Sequence, residues 1–315
     1  MNVGRFENEE TKARELERYY QGADHRSLGS LSLLSGAAST GGVKPTEAPR
    51  PAGDALGDGA FGDVWPLVSA IEGWLSRAQA CALYKAAGAV EAGNWIVEIG
   101  AHHGRSTVAL AKGMSSAARL LSVDPYPDRP GGGGEPAFEA YLDNVRRLGL
   151  THRVHLFRGT SEQAASCCEL LFEVAGAEQG EQIPAGPVDR PGVGLLFVDG
   201  LHDRNSVLAD IDLWEPRVVD GGLACFHDAF FRVGVTLALL QRHLLDYRFG
   251  YLGSVSNLAM FRREPRIGNR AAIRSSLRLL GRLGYLGRQM VTTAAVRRGW
   301  SPLLTLLPPE EDFEY

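Results

Sequence analysis

From about residue 64 to 263, short apolar runs alternate with longer amphipathic ones. That alternation restricts the fold more than any other feature of the chain. Residues 95–99, 120–123, 154–157, 194–198 and 223–226 each read as a strand. Residues 76–90, 104–114, 137–148, 204–214 and 233–245 read as helices. Ser76 suits the N-cap of the first, Gly149 stops the third, and the fourth ends before Pro216. Residues 247–252 and 258–263 are expected to close the sheet as a hairpin-like pair. The run at 194–198 is apolar without a break, as in a strand buried on both faces. The pattern predicts an α/β fold, a Rossmann-like doubly wound and mainly parallel sheet with helices on both faces. Right-handed crossovers then place the C-terminal ends of the strands, where ligands bind, along one edge.

Two flanking regions differ from this core, giving expected units of 1–62, 63–263 and 264–315. Residues 7–20 are charged and fit a helix, and residues 27–62 are rich in Ser, Gly, Ala and Pro, as in a linker or extended arm. Residues 265–309 contain no Asp or Glu. Within them Arg270, Arg274, Arg278 and Arg282 recur every four residues and share one helical stripe. Ile273, Leu277, Leu280 and Leu283 form a neighbouring apolar stripe. Such a helix either packs on the domain with its arginines in water or lies against an anionic membrane surface or acidic partner.

With 315 residues, a net charge of −4, 44% hydrophobic and 22% charged residues, the chain has an ordinary globular composition. Nucleic acid is not an expected partner. Cys81, Cys167, Cys168 and Cys225 form neither a zinc pattern nor a disulfide framework. Reduced thiols, the absence of a signal-peptide pattern and the lack of a bilayer-spanning apolar run point to the cytoplasm.

The first chemical motif follows the first strand: Glu98-x-Gly100-x-His102-x-Gly104-x-Ser106-Thr107. Gly100 permits a sharp turn, and Gly104 lets backbone approach a ligand at a helix start, where unpaired N–H groups face outward. A dinucleotide loop meets a pyrophosphate there. An acidic Glu98 opposes a pyrophosphate and suits an ammonium group. S-adenosylmethionine (SAM) carries such an ammonium, and its carboxylate suits the loop N–H groups with Ser106 or Thr107. The second strand ends in Asp124, placed to accept both ribose hydroxyls. After the third strand, Thr160 and Ser161 lie where an adenine ring would sit. Ser161 also fits the N-cap of the next helix.

The fourth strand runs into Asp199-Gly200-Leu201-His202 and the fifth into His227-Asp228. Neighbouring tips would let Asp199, His227 and Asp228 converge on a divalent cation, Mg²⁺ or another. His202, three residues past Asp199, suits a general base for methyl transfer.

Taken together, VEIGAHHGRSTVALA, LLSVDPYPD, FRGTSEQA, LLFVDGLHDRNSVLADIDLW and GGLACFHDAF resemble the class I SAM-dependent methyltransferases. The branch most similar is methyltransferase family 24, akin to macrolide-sugar O-methyltransferases. The resemblance spans about residues 65–263. It implies a seven-stranded sheet with a reversed last strand, SAM as cofactor, and often Mg²⁺. It also implies a SAM loop at Glu98, Gly100 and Gly104, a ribose contact at Asp124, metal ligands at Asp199 and Asp228, and His202 as base. Metal-dependent relatives commonly carry an acidic residue where this chain has His227. The expected activity is O-methylation of a small-molecule hydroxyl, on a sugar or secondary metabolite. N-methylation, an NAD-dependent oxidoreductase and a non-catalytic SAM-fold binding module are the alternatives. A homo-oligomer is compatible with the sequence.

Overall fold

The computed structural model describes residues 58–128, 133–177 and 192–287. The expected helix at 7–20 and most of the arm at 27–62 lie outside these residues. The last five residues of that arm form a short helix, α1 (Asp58–Gly62), whose Phe61 is buried in the core. Helix α2 (Trp65–Ser69) and α3 (Arg77–Gly88) follow. Ser76 caps α3 as expected, with Gln79 completing a reciprocal capping box.

The remaining elements alternate. They are β1 (Trp95–Ile99), α4 (Arg105–Gly113), β2 (Arg119–Val123), α5 (Gly134–Arg147), β3 (Val154–Phe157), α6 (Ser161–Ala177) and β4 (Val193–Val198). Then come α7 (Arg204–Trp214), β5 (Val218–Phe226), α8 (Val233–His243), β6 (Phe249–Val255), β7 (Leu258–Arg263) and α9 (Asn269–Gly281). The seven strands form one sheet in the order β3-β2-β1-β4-β5-β7-β6. Strands β1 to β5 run parallel, and β7 is antiparallel to both neighbours. This is the expected doubly wound sheet with its last strand reversed.

Two apolar clusters cover the two faces. Ile96 packs in the cluster with Leu83, Leu110 and Tyr141. Trp95, Val97 and Ile99 pack in the other, with Trp214 and Leu239. Because strand side chains alternate, Glu98 shares the face of Ile96 and points toward α4. No described helix is long and apolar enough to cross a membrane. None of the four cysteines is in a disulfide.

The C-terminal helix packs on the domain, one of the two expected arrangements, but its apolar stripe is not the buried side. It packs against the rest of the molecule through Ala272, Ser275, Ser276 and Leu279. Ser275 Oγ accepts the Tyr251 N–H of edge strand β6, and Ser276 Oγ accepts the Leu245 N–H, both at 2.8 Å. Small side chains allow that close approach and blunt the exposed sheet edge. Ile273, Leu277 and Leu280 therefore face outward, whereas Arg278 and Arg282 reach back to the carbonyls of Leu252 and Ser256.

Candidate active site

The strand ends are stitched to one another in sheet order. Asp124 N–H donates to Phe157, Gly100 N–H to Val123, Asp199 N–H to Ile99 and His227 N–H to Val198, at 3.1, 2.8, 2.7 and 3.0 Å. Parallel pairing thus puts Asp124, Gly100, Asp199 and His227 side by side on one edge. A cavity of about 460 Å³ opens there, within the range of small-molecule sites. Of the expected residues, Gly100, His102, Ser106, Asp124, Thr160, Ser161, Asp199 and His202 line it.

The glycine turn is demanded by geometry. Gly100 has φ +89°, and a Cβ there would sit 2.2 Å from the Asp199 carbonyl oxygen. Gly104, with φ +86°, caps α4 in the left-handed conformation.

Asp124 organises the loop that follows. Its Oδ2 accepts the N–H groups of Ala101 and His102 at 3.0 and 2.9 Å, and its Oδ1 accepts that of Tyr126 at 2.8 Å. It still lines the cavity, where carboxylate lone pairs can serve ribose hydroxyls. Two loop N–H groups that would serve a pyrophosphate are already bonded.

Glu98 needs a correction. Its side chain is fully enclosed and does not line the cavity, so it makes no direct contact with a cofactor's ammonium. Oε1 accepts Ser106 Oγ–H at 2.5 Å, and Oε2 accepts the hydroxyls of Thr107 and Ser122, both at 2.6 Å. Burial raises its pKa to about 7 against the lowering effect of these three bonds. Thr107 is likewise enclosed, and of the pair only Ser106 reaches the cavity. Glu98 therefore pins the first turn of α4 to β1 and β2.

At the adenine end, Thr160 rather than Ser161 caps α6: its Oγ1 accepts the Gln163 N–H, and its own N–H donates to Gln163 Oε1. Ser161 Oγ instead accepts Trp214 Nε1–H at 2.9 Å. Asp210 lines the same end, with a pKa raised to about 6 by burial. It was not among the residues expected from the sequence. A signal was present, because Asp210 interrupts the apolar stripe of Val207, Ile211 and Trp214.

The fourth and fifth strand tips do converge. His227 Nδ1 lies 3.1 Å from Asp199 Oδ1. His202 Nε2 lies 3.3 Å from Asp228 Oδ2 and 3.6 Å from Asp199 Oδ1. Burial alone would raise Asp199, but the two histidines outweigh it and hold the carboxyl at about 2. Burial alone would lower His227, and the Asp199 carboxylate raises it instead. Asp228, at φ +57°, is braced from further away. Asn257 Nδ2–H donates to its Oδ1 at 2.8 Å, Gln79 Nε2–H donates to Asn257 Oδ1, and the Arg232 guanidinium lies 3.4 Å from its Oδ2.

That arrangement does not fit a divalent cation at Asp199, His227 and Asp228. Both Asp228 oxygens already face donors, and Asp199 is compensated by two imidazoles. Among the described residues, no group of three or more acidic, His or Cys side chains has the geometry to hold a metal ion. The expected ligands meet as an ion-paired network. Asn257, Gln79 and Arg232 were not foreseen, because their roles depend on long-range pairing.

The cavity mouth carries two exposed apolar groups, Trp74 at 75% and Leu201 at 48%. Arg105 Nη1 donates to the carbonyls of Ile71 and Gly73, holding the Trp74 segment over the site. The Trp74 ring sits 5.5 Å from that of His102.

Residues 97–229 match the family model described as a methyltransferase domain, methyltransferase family 24. This segment is similar to methyltransferase domains. No curated protein matches the chain. Solved structures similar to it include the O-methyltransferase from Bacillus cereus in complex with S-adenosylhomocysteine (SAH), at 16% identity. That match covers 67% of this chain and 94% of the other, with a TM-score of 0.44. The O-methyltransferase of tomaymycin synthesis from Streptomyces achromogenes, in complex with SAM, is 13% identical over 67% and 92% of the two chains, with a TM-score of 0.43. A TDP-rhamnose 3'-O-methyltransferase of calicheamicin biosynthesis is 20% identical over 66% and 86%, with a TM-score of 0.41.

Proposed function

We propose that this domain transfers the methyl group of SAM to a hydroxyl of a small molecule, with His202 as general base. The observation that carries the reading is the position of His202. It lines the same cavity as the Gly100 loop and sets Nε2 between the carboxylates of Asp228 and Asp199.

Those carboxylates favour the tautomer with hydrogen on Nε2, which leaves the lone pair of Nδ1 to accept a proton. The acceptor oxygen attacks the sulfonium methyl in line. As the O–CH₃ bond forms and the S–CH₃ bond breaks, the S–C electron pair goes to sulfur, giving neutral SAH. The hydroxyl proton passes to His202, and the resulting imidazolium is stabilised by Asp199 and Asp228. A divalent cation is not required by this arrangement, since His227, raised by the Asp199 carboxylate, and the Arg232 guanidinium already balance the two carboxylates.

Asp124 supports SAM over a dinucleotide, because it engages the loop N–H groups that a pyrophosphate would need. Trp74 and Leu201 offer a flat apolar rim for an acceptor ring. The direct test incubates the full chain with methyl-labelled SAM and a panel of hydroxylated sugars and phenols. Label in an ether product, dependent on His202, is expected. Label found only on amine acceptors would overturn the reading.

A further inference from the structure

Helix α9 buries Ala272, Ser275, Ser276 and Leu279 and displays its other large aliphatic residues. Ile273, Leu277 and Leu280 fall at spacings of four and three on one stripe and are 50%, 64% and 40% exposed. The Leu245 N–H bond to Ser276 brings the loop after α8 alongside, adding the exposed Leu245 and Tyr247. Arg270 and Arg274, one turn apart and both exposed, lie along the other flank of the stripe. The acidic group of that loop, Asp246, is turned inward onto His243 and the N–H groups of Arg248 and Phe249. The chain as a whole is negative, at −4, so this basic and apolar strip is a local feature.

We propose that this face of α9 docks the protein on an anionic lipid surface. Exposed aliphatic side chains flanked by arginines match the layering of a membrane interface, with apolar groups below the headgroups and guanidinium groups among the phosphates. A second copy of this chain fits less well. A two-fold contact through the stripe would bring Arg270 and Arg274 toward their own equivalents without an acidic counterpart. The strip also adjoins the reactive end of the sheet. Arg282, at the end of α9, stacks over Phe230 at 5.5 Å and donates to the Ser256 carbonyl, and Phe230 lies two residues past Asp228.

The test is co-sedimentation of the full chain with vesicles of phosphatidylcholine alone or mixed with phosphatidylglycerol. Binding to the anionic vesicles only, weakened by added salt, is expected. The double variant Arg270→Gln/Arg274→Gln should weaken it on the order of 30-fold, from about 1 kcal/mol per arginine near the surface. The triple variant Ile273→Ser/Leu277→Ser/Leu280→Ser should abolish it with an unchanged melting curve, since all three side chains are largely outside the core. The proposal is overturned by absence of binding to anionic vesicles or by undiminished binding of both variants. It is also overturned by a wild-type dimer that the triple variant converts to monomer without lipid.

Discussion

Carboxylates at two parts of the same sheet edge behave in opposite ways. Glu98 and Asp124, on the β1 and β2 side, are satisfied by hydroxyl and backbone donors that shape the loop. Asp199 and Asp228, on the β4 and β5 side, are matched to imidazoles that can gain and lose protons. The first pair uses charge to hold backbone in place, and the second uses it to hold a titratable group against a cavity. An acid at a strand tip therefore says little about its role until its donors are known. The cofactor loop here is built by carboxylates bonded to hydroxyl and backbone donors, and the chemistry is assigned to carboxylates paired with imidazoles.

The sharpest way to break this comparison is at His202. Replacement with Ala is expected to lower kcat on the order of 10³-fold, within the range of general base catalysis, while SAH affinity stays within about twofold. Steady-state kinetics and calorimetry on one preparation check both halves. An equal loss in both would mean that His202 belongs with the loop-shaping residues.

A smaller effect is expected one step further out. Asn257→Ala removes a hydrogen bond to the buried Asp228 carboxylate, worth about 1.5–3 kcal/mol, so kcat should fall roughly 10- to 100-fold with SAH binding retained. Asn257 acts through Asp228 and positions it, so the variant should also shift the acid limb of the pH–rate profile. A purely structural role would lower stability and leave that limb in place.

The smallest expected change in turnover comes from Glu98→Gln, which should leave kcat nearly intact and change the pH dependence of stability. The folded chain holds Glu98 at about 7 against an ordinary 4.5, so folding favours its protonated form. Stability is unaffected below the lower value and declines as pH rises through the higher one. The shift corresponds to about 3 kcal/mol. Urea unfolding should therefore show the Gln variant gaining by about that amount on the wild type between pH 4.5 and pH 8. A constant difference across that range would show that Glu98 is not held protonated by the fold.

Much of the sheet was legible because its strands are short, apolar and bounded by glycine or charge. Strands β1 and β3 and helix α7 have the expected limits. The orientation of Glu98 was harder to see. In a strand buried on both faces, every position except Glu98 is apolar, so alternation gives no contrast by which to choose its direction. Asn257 was hidden for a topological reason. It sits in the turn between β6 and β7, and it meets Asp228 only because β7 inserts beside β5. Helix α9 was recognisable from its four-residue arginine repeat. Its buried side was not, because Ser275 and Ser276 are drawn inward by the unpaired N–H groups of Tyr251 and Leu245 rather than by apolarity.

The central claim is that the Gly100 and Asp124 side of the edge holds SAM and the Asp199 and Asp228 side works on it. Isothermal titration calorimetry of the full chain with SAH, and separately with NAD, tests the first half most directly. The account predicts one SAH site per chain, retained in His202→Ala, and no heat with NAD. Saturable NAD binding without SAH binding would contradict it.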